Sequence, residues 1–189
     1  FVVPDQIFDR TKGIRESTFF GDGLCGHITF ADPFCDEMRD LAIIAADSKG
    51  AKVHKSGTYL CMEGPQFSTR SESFFYRETV RPAIIGMTAI PEAKLAKEAE
   101  MSYAILATAT DYDCWHESEE DVSVEAVIEV LRLNAELAKS IVKEVSTAMP
   151  DTSNAESLSV ARFALMTPSD VIPVKTKEKL EVLYGKYWK

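Results

Sequence analysis

Apolar residues come in short runs separated by polar stretches rich in glycine and proline, and their spacing changes from run to run. Val2-Val3 ahead of Pro4-Asp5 predicts an opening strand that stops at the proline. Residues 9–26 place Lys12-Gly13, Gly21, Gly23 and Gly26 among polar positions, which is loop composition. Asp32-Pro33 predicts the N-cap and first turn of a helix carrying Met38, Leu41, Ala42, Ile44 and Ala45, with Gly50 at its end. Val53 to Met62 alternates, with a break at Gly57, and predicts a strand; Ser68 to Val80 predicts a helix bearing Phe74, Phe75 and Arg77. The run Ala83 to Thr88 fits a strand buried on both faces. Pro91 opens a helix through Glu98, and Tyr103 to Thr110 predicts a second buried strand. From Ser123 onward, Val124, Val127, Ile128, Leu131, Leu137, Ala138, Ile141, Val142 and Val145 recur at helical spacing until Pro150. Residues 150–155 predict a turn or linker, followed by shorter helices near 156–166 and 175–184.

This alternation predicts an α/β fold, a mixed β-sheet flanked by α-helices. In such sheets ligands favour loops beyond the carboxyl ends of strands. That rule selects Glu63–Arg70, Gly86–Glu92 and Thr110–Glu117.

Composition narrows the function. The 189 residues carry a formal charge of −9, which argues against binding nucleic-acid phosphates. No apolar run approaches the roughly 18–20 residues of a membrane-spanning helix. The four cysteines form no CxxC pair and read as reduced thiols of a cytosolic protein. His27, His54 and His116 lie far apart, which argues against a zinc cluster. Residue 1 is Phe1, and strand-like residues follow at once, so the expectation is a polypeptide that starts inside a domain; a processed mature N-terminus is the alternative.

Gly21-Asp22-Gly23-Leu24-Cys25-Gly26 matches a dinucleotide-binding string, but His27-Ile28-Thr29-Phe30 and Pro33 follow where a helix should open, so it reads as a loop. Thr110-Asp111-Tyr112-Asp113-Cys114-Trp115 places two carboxylates among aromatic rings at a strand end, a setting for proton donation. An acidic turn ahead of the long helix is the alternative. Glu63-Gly64-Pro65-Gln66-Phe67-Ser68-Thr69-Arg70 offers an aromatic ring, hydroxyls and an arginine at a helix start, or else an ordinary turn with a hydroxyl cap. Gly86-Met87-Thr88 has the same strand-to-helix layout.

Together, EGPQFSTRSES, IIGMTAIPEAKLAKE and ATDYDCW resemble the 5'-methylthioadenosine phosphorylases, a branch of the purine nucleoside phosphorylase family. DQIFDRT and CGHITFADPFC resemble the same family, and the likeness runs from Phe1 to about residue 149, with a weaker echo through Phe163–Pro168. The resemblance implies residues 1–149 as the C-terminal part of a phosphorylase domain and 150–189 as a helical extension on it, with the N-terminal part of the fold missing from this chain. It implies phosphorolysis of 5'-methylthioadenosine to adenine and 5-methylthioribose 1-phosphate, with inorganic phosphate as co-substrate and no metal or organic cofactor. A phosphorylase of adenosine or other purine nucleosides, and a non-catalytic nucleoside-binding subunit, are the alternatives.

By the same resemblance, Asp111 serves the imidazole nitrogen of the leaving base and Asp113 accepts from its exocyclic amino group. Phe67 stacks on the base with Ser68 near the sugar, Met87 packs under the ribose, Thr88 binds phosphate and Thr110 lies beside the base loop. Val124, Val127 and Ile128 line an alkylthio pocket, while His27 and Met166 reach a neighbouring subunit's site in a homotrimer. The family's glycine-containing phosphate loop and Arg-His pair have no counterpart here, so an N-terminal fragment of the same protein is the expected partner. The tail after Pro168 is basic and aromatic and is expected to cover a subunit surface. A carboxylate pair accepts from a 6-amino group and repels a 6-carbonyl, which favours aminopurines.

Overall fold

The computed structural model describes residues 1–116, 124–149 and 156–188; side chains at 124–127 and 156–157 lie outside the description. Three parallel strands form the sheet in the order β1 (Gln6–Arg10), β2 (Thr58–Met62), β3 (Ile84–Gly86). Gln6 pairs with Thr58 and Arg10 with Met62, while Tyr59 pairs with Ile84 and Cys61 with Gly86. Asp9, Cys61 and Gly86 therefore share one row at the carboxyl edge, and the loops that follow all emerge there. The central strand has Tyr59, Leu60 and Cys61 buried, as expected of a strand covered on both faces.

The first strand differs from expectation. Val2 and Val3 are buried, but Val2 makes only isolated bridges and the ladder begins beyond Pro4. Its residues are mostly exposed because β1 is an edge strand, so apolar spacing does not mark it. Expected continuity from Val53 also fails. Gly57 takes φ +126° and packs so close to Ala83 that a Cβ would lie 2.5 Å from the alanine Cβ, and β2 starts only after it. Nor is β3 buried on both faces, since it is the other edge and is half-exposed.

Helix α1 (Asp36–Ser48) starts later than Asp32-Pro33 predicts, with Cys35 as N-cap. The Cys35 N–H donates to the Tyr103 carbonyl at 2.8 Å, so a tertiary bond sets the entry point. Gly50 closes the helix at φ +71°, as the pattern predicts. Helix α2 (Arg70–Phe75) carries a full capping box between Thr69 and Glu72, and a wider turn, Tyr76–Val80, continues it. In α3 (Ala89–Glu98), Ile90 is extended at φ −113°, ψ 129°, as expected of the residue before Pro91. The long helix α4 (Val124–Thr147) packs on α1 through Ile141, Ala45 and Ala46. A 3-10 segment, Glu156–Phe163, and α5 (Val174–Tyr184) complete the chain. The expected linker at 150–155 and the start of the long helix at Ser123 lie outside the described residues.

The second buried strand, Tyr103 to Thr110, forms no ladder with the sheet. Ala107 makes one antiparallel bridge, exchanging both hydrogen bonds with Val2 at 2.9 Å. Its side chains still alternate: Tyr103, Ile105 and Ala107 pack with Tyr59, Cys61 and Ile90, whereas Leu106 packs with Val3 and Ile43. Among the described residues, no helix is long and apolar enough to cross a membrane.

Two phenols, Tyr184 buried and Tyr103 half-buried, give the fold an alkaline limit. The Tyr184 hydroxyl donates to the Glu98 carbonyl at 3.1 Å, and Tyr103 donates to the Glu92 carboxylate at 2.8 Å. Burial, then the neighbouring carboxylates, pushes both groups above their ordinary range. The unfolded chain ionises these tyrosines near pH ~10 while the folded chain does not, so their stabilisation is complete below that pH and falls as pH rises above it. In an alkaline titration, part of the tyrosinate absorbance is expected to appear together with loss of circular dichroism. Complete ionisation with the dichroism intact would contradict this.

Candidate active site

Four chain segments meet at the carboxyl edge of the sheet. The turn after β1 lays Lys12 and Arg15 across the other two strand ends. The Glu63 carboxylate accepts from the Lys12 N–H at 2.5 Å and from Arg15 Nε at 3.0 Å. Those donors, the Lys12 N–H foremost, outweigh burial and hold the Glu63 carboxyl below its usual range. Arg15 Nη1 also donates to the Met87 carbonyl at 2.8 Å. Next to Glu63, Gly64 sits at φ +71° so close to Met87 that a Cβ would lie 2.7 Å from the sulfur. The Glu63–Arg70 and Gly86–Glu92 loops are thus in direct contact.

Beside them, a cavity of about 150 Å³ is lined by Asp9, Thr11, Arg15, Glu63, Pro91 and Lys94. Burial alone would raise the Asp9 carboxyl, but hydrogen bonds from Lys94 and Thr11 hold it below its ordinary range. Sequence reasoning did not single out Lys12, Arg15 or Asp9. The available signal was their position at or just past the end of a strand, which the misplaced first strand concealed.

The Thr110–Glu117 loop, described to His116, comes from the bridged segment rather than from a sheet strand. Asn134 of α4 donates to the Ala109 carbonyl at 3.2 Å and fixes its base. Arg70 donates to the Cys114 carbonyl at 3.1 Å, and the Cys114 thiol approaches the Ser68 carbonyl at 3.6 Å. The Arg77 guanidinium lies 3.8 Å from the centre of the Trp115 ring, and Tyr112 stacks on His116 at 4.7 Å. These contacts hold the two-aspartate loop against α2 and Ser68.

Within it, Asp111 is exposed and accepts from the Thr110 hydroxyl at 2.6 Å. Asp113 Oδ1 accepts from the Cys114 N–H at 2.8 Å. Its second oxygen, Oδ2, is buried and has no hydrogen-bond partner among the described residues. Phe67 is 82% exposed at the tip of its loop, and Thr88 is exposed at the start of α3 without using its side chain as a cap. Ser68 Oγ lies 3.9 Å from the Met62 sulfur.

His27 and Met166 form a second constellation, held by other elements. Segments 25–27 and 164–166 pair antiparallel: the His27 N–H donates to the Ala164 carbonyl and the Met166 N–H to the Cys25 carbonyl, each at 2.9 Å. Both residues are exposed on this ledge. Glu100 anchors the tail beneath it, accepting from the Ala161 N–H at 2.9 Å and from the Tyr187 hydroxyl at 2.6 Å. Ile128 is 58% exposed on α4, and the side chains of Val124 and Val127 lie outside those described.

Comparison with known proteins follows the same outline. The family model of the phosphorylase superfamily matches residues 1–147. The S-methyl-5'-thioadenosine phosphorylase of Geobacter sulfurreducens is 50% identical over 98% of this chain, which spans 65% of that relative's length. A methylthioadenosine phosphorylase crystal structure sourced from an antarctic soil metagenomic library superposes with TM-score 0.87 at 42% identity, covering 96% of this chain and 64% of that one. The methylthioadenosine phosphorylase of Schistosoma mansoni in complex with adenine superposes with TM-score 0.79 at 32% identity, covering 87% of this chain and 66% of that one. The chain therefore spans about two thirds of the length of the relatives it matches.

Proposed function

The chain belongs to the phosphorylase superfamily, and on that premise we propose that it takes part in phosphorolysis of 5'-methylthioadenosine, releasing adenine and 5-methylthioribose 1-phosphate. The observation that carries the proposal is the buried Asp113 Oδ2, which has no partner among the described residues, in a loop held against Ser68. A buried acceptor left unmade costs about 1–3 kcal/mol, so the site favours a ligand that brings an N–H donor. The exocyclic amino group of a 6-aminopurine is such a donor, and a 6-carbonyl is not.

In this reading Asp111, open to solvent, supplies or shares the proton that the departing base takes at its imidazole nitrogen. Developing negative charge on the base is thereby neutralised as the ribose becomes oxocarbenium-like. Phe67 stacks on the purine, Ser68 and Met87 contact the sugar, and Thr88 binds phosphate. Thr110 orients Asp111 through their 2.6 Å hydrogen bond. Ile128 contacts the alkylthio group, and the His27–Met166 ledge serves a neighbouring subunit of a homotrimer. No metal or organic cofactor enters the reaction, and phosphate is the co-substrate. In the same reading an N-terminal segment of the same protein supplies the remaining phosphate contacts. The setting is purine and methionine salvage in the cytoplasm.

The test is adenine release from 5'-methylthioadenosine by the natural protein, with and without inorganic phosphate. Release that requires phosphate is the expected result. Release in water alone would make the reaction hydrolysis, and adenine binding without release would make the protein a binding subunit. Comparable turnover of adenosine would show that the alkylthio group is not selected.

A further inference from the structure

The turn after β1 is absent from the functional reading, yet it touches two of the substrate loops. Arg15 reaches from this turn with two donors pointing to different strand ends: Nε to the Glu63 carboxylate at 3.0 Å and Nη1 to the Met87 carbonyl at 2.8 Å. Glu63 is almost fully buried, with its side chain 8% exposed, and its other oxygen is taken by the Lys12 N–H. The guanidinium keeps this geometry at a cost, because Nη2 is buried without an acceptor among the described residues. The arrangement fixes one main-chain atom, the carbonyl of Met87, relative to the start of the Phe67-Ser68 loop.

We infer that Arg15, backed by Glu63, is a positioning residue that holds Met87 at the height required under the sugar. The inference rests on the phosphorolysis proposed above. Lysine at this position offers a point charge in place of the planar fork that holds Glu63 and Met87 in one fixed geometry. Among the described residues, Arg15 makes no direct hydrogen bond to the base-binding groups Phe67, Asp111 and Asp113. Loss of Arg15 therefore affects the sugar and leaves the free base unaffected. Misplacement of a reacting group by about 1 Å can cost on the order of 100-fold in rate.

The test compares Arg15→Gln and Arg15→Lys with the unmodified natural protein, measuring kcat and KM for 5'-methylthioadenosine, equilibrium binding of free adenine, and the thermal midpoint. Both variants are expected to lose roughly 10- to 100-fold in kcat, with adenine affinity within about twofold of the starting protein. Glu63→Gln, which keeps the shape and removes the charge, is expected to show a smaller loss of the same kind. Full kcat in Arg15→Lys would reduce Arg15 to a charge partner and overturn the inference. Parallel loss of adenine affinity and kcat would indicate general disruption and overturn it too. If Arg15→Gln does not fold, Arg15→Lys decides the matter by the same two readouts. An inactive starting protein that binds adenine would defeat the functional reading itself, which separates that failure from failure of the positioning role.

Discussion

Asp111→Asn is expected to lower kcat/KM for 5'-methylthioadenosine by about 100- to 10,000-fold, the usual range for removal of a general acid. The substitution keeps the size of the side chain and the acceptor for the Thr110 hydroxyl, now bonded at 2.6 Å. What it removes is the capacity to carry a transferable proton. Asp111 is exposed at the lip of the loop, so the change leaves no buried charge uncompensated and the fold is expected to survive. Binding of free adenine should change far less than turnover, because the proton matters most as negative charge builds on the leaving base. An asparagine N–H can donate to a carbonyl, so discrimination against 6-oxopurine nucleosides is expected to narrow. Steady-state rates for the two nucleoside classes measure both effects. Full activity on 5'-methylthioadenosine would remove the role assigned to Asp111.

Gly86→Ala is expected to combine loss of stability with loss of turnover. Gly86 ends β3, pairs with Cys61 and immediately precedes Met87. A Cβ at this position would overlap the Tyr59 hydroxyl oxygen and lie 2.7 Å from the ring Cζ. Tyr59 is 6% exposed and packed against Ala89, Ile90 and Ala93, so it has little room to retreat. Overpacking of this kind costs about 1–3 kcal/mol, which lowers the thermal midpoint by several degrees in a chain of this size. Displacing the strand end also displaces Met87 and Thr88, so activity is expected to fall beyond what the lost stability explains. Tyr59→Phe in the Gly86→Ala background removes the hydroxyl overlap but leaves the ring close, so partial recovery of both quantities is expected. An unchanged midpoint in Gly86→Ala alone would show that the close approach does not constrain this strand end.

Much of the candidate site was legible because its loops depend on local chemistry. Gly64, Gly86 and Pro91 punctuate strand-to-helix turns, and such turns present the residues beside them at a sheet edge. The long helix was legible because its apolar positions recur with one period over 24 residues, and Ile141 is indeed fully buried against α1. Neighbouring residues in one loop stay together in any fold, so Asp111 and Asp113 could be paired from sequence alone.

What the sequence did not reveal was decided by partners distant along the chain. β1 is a mostly exposed edge strand, so burial leaves little mark on its composition, and its pairing with β2 defines it. Tyr103 to Thr110 has the composition of a core strand, yet its paired backbone groups go to Val2 and Cys35 and no ladder forms. Helix α1 is capped at Cys35 because Tyr103 offers that N–H an acceptor. Arg15 acquires its role only when parallel pairing brings the ends of β1, β2 and β3 level. His27 and Met166 meet only when their segments pair, an arrangement tied down by a bond from the Cys25 N–H to Thr167, 142 positions away. The sequence by itself determined the local turns, the helical periods and the chemical identity of each loop, because these depend on residues a few positions apart. Only the tertiary structure decided which loops touch and which buried groups find partners, because those outcomes depend on contacts between distant segments.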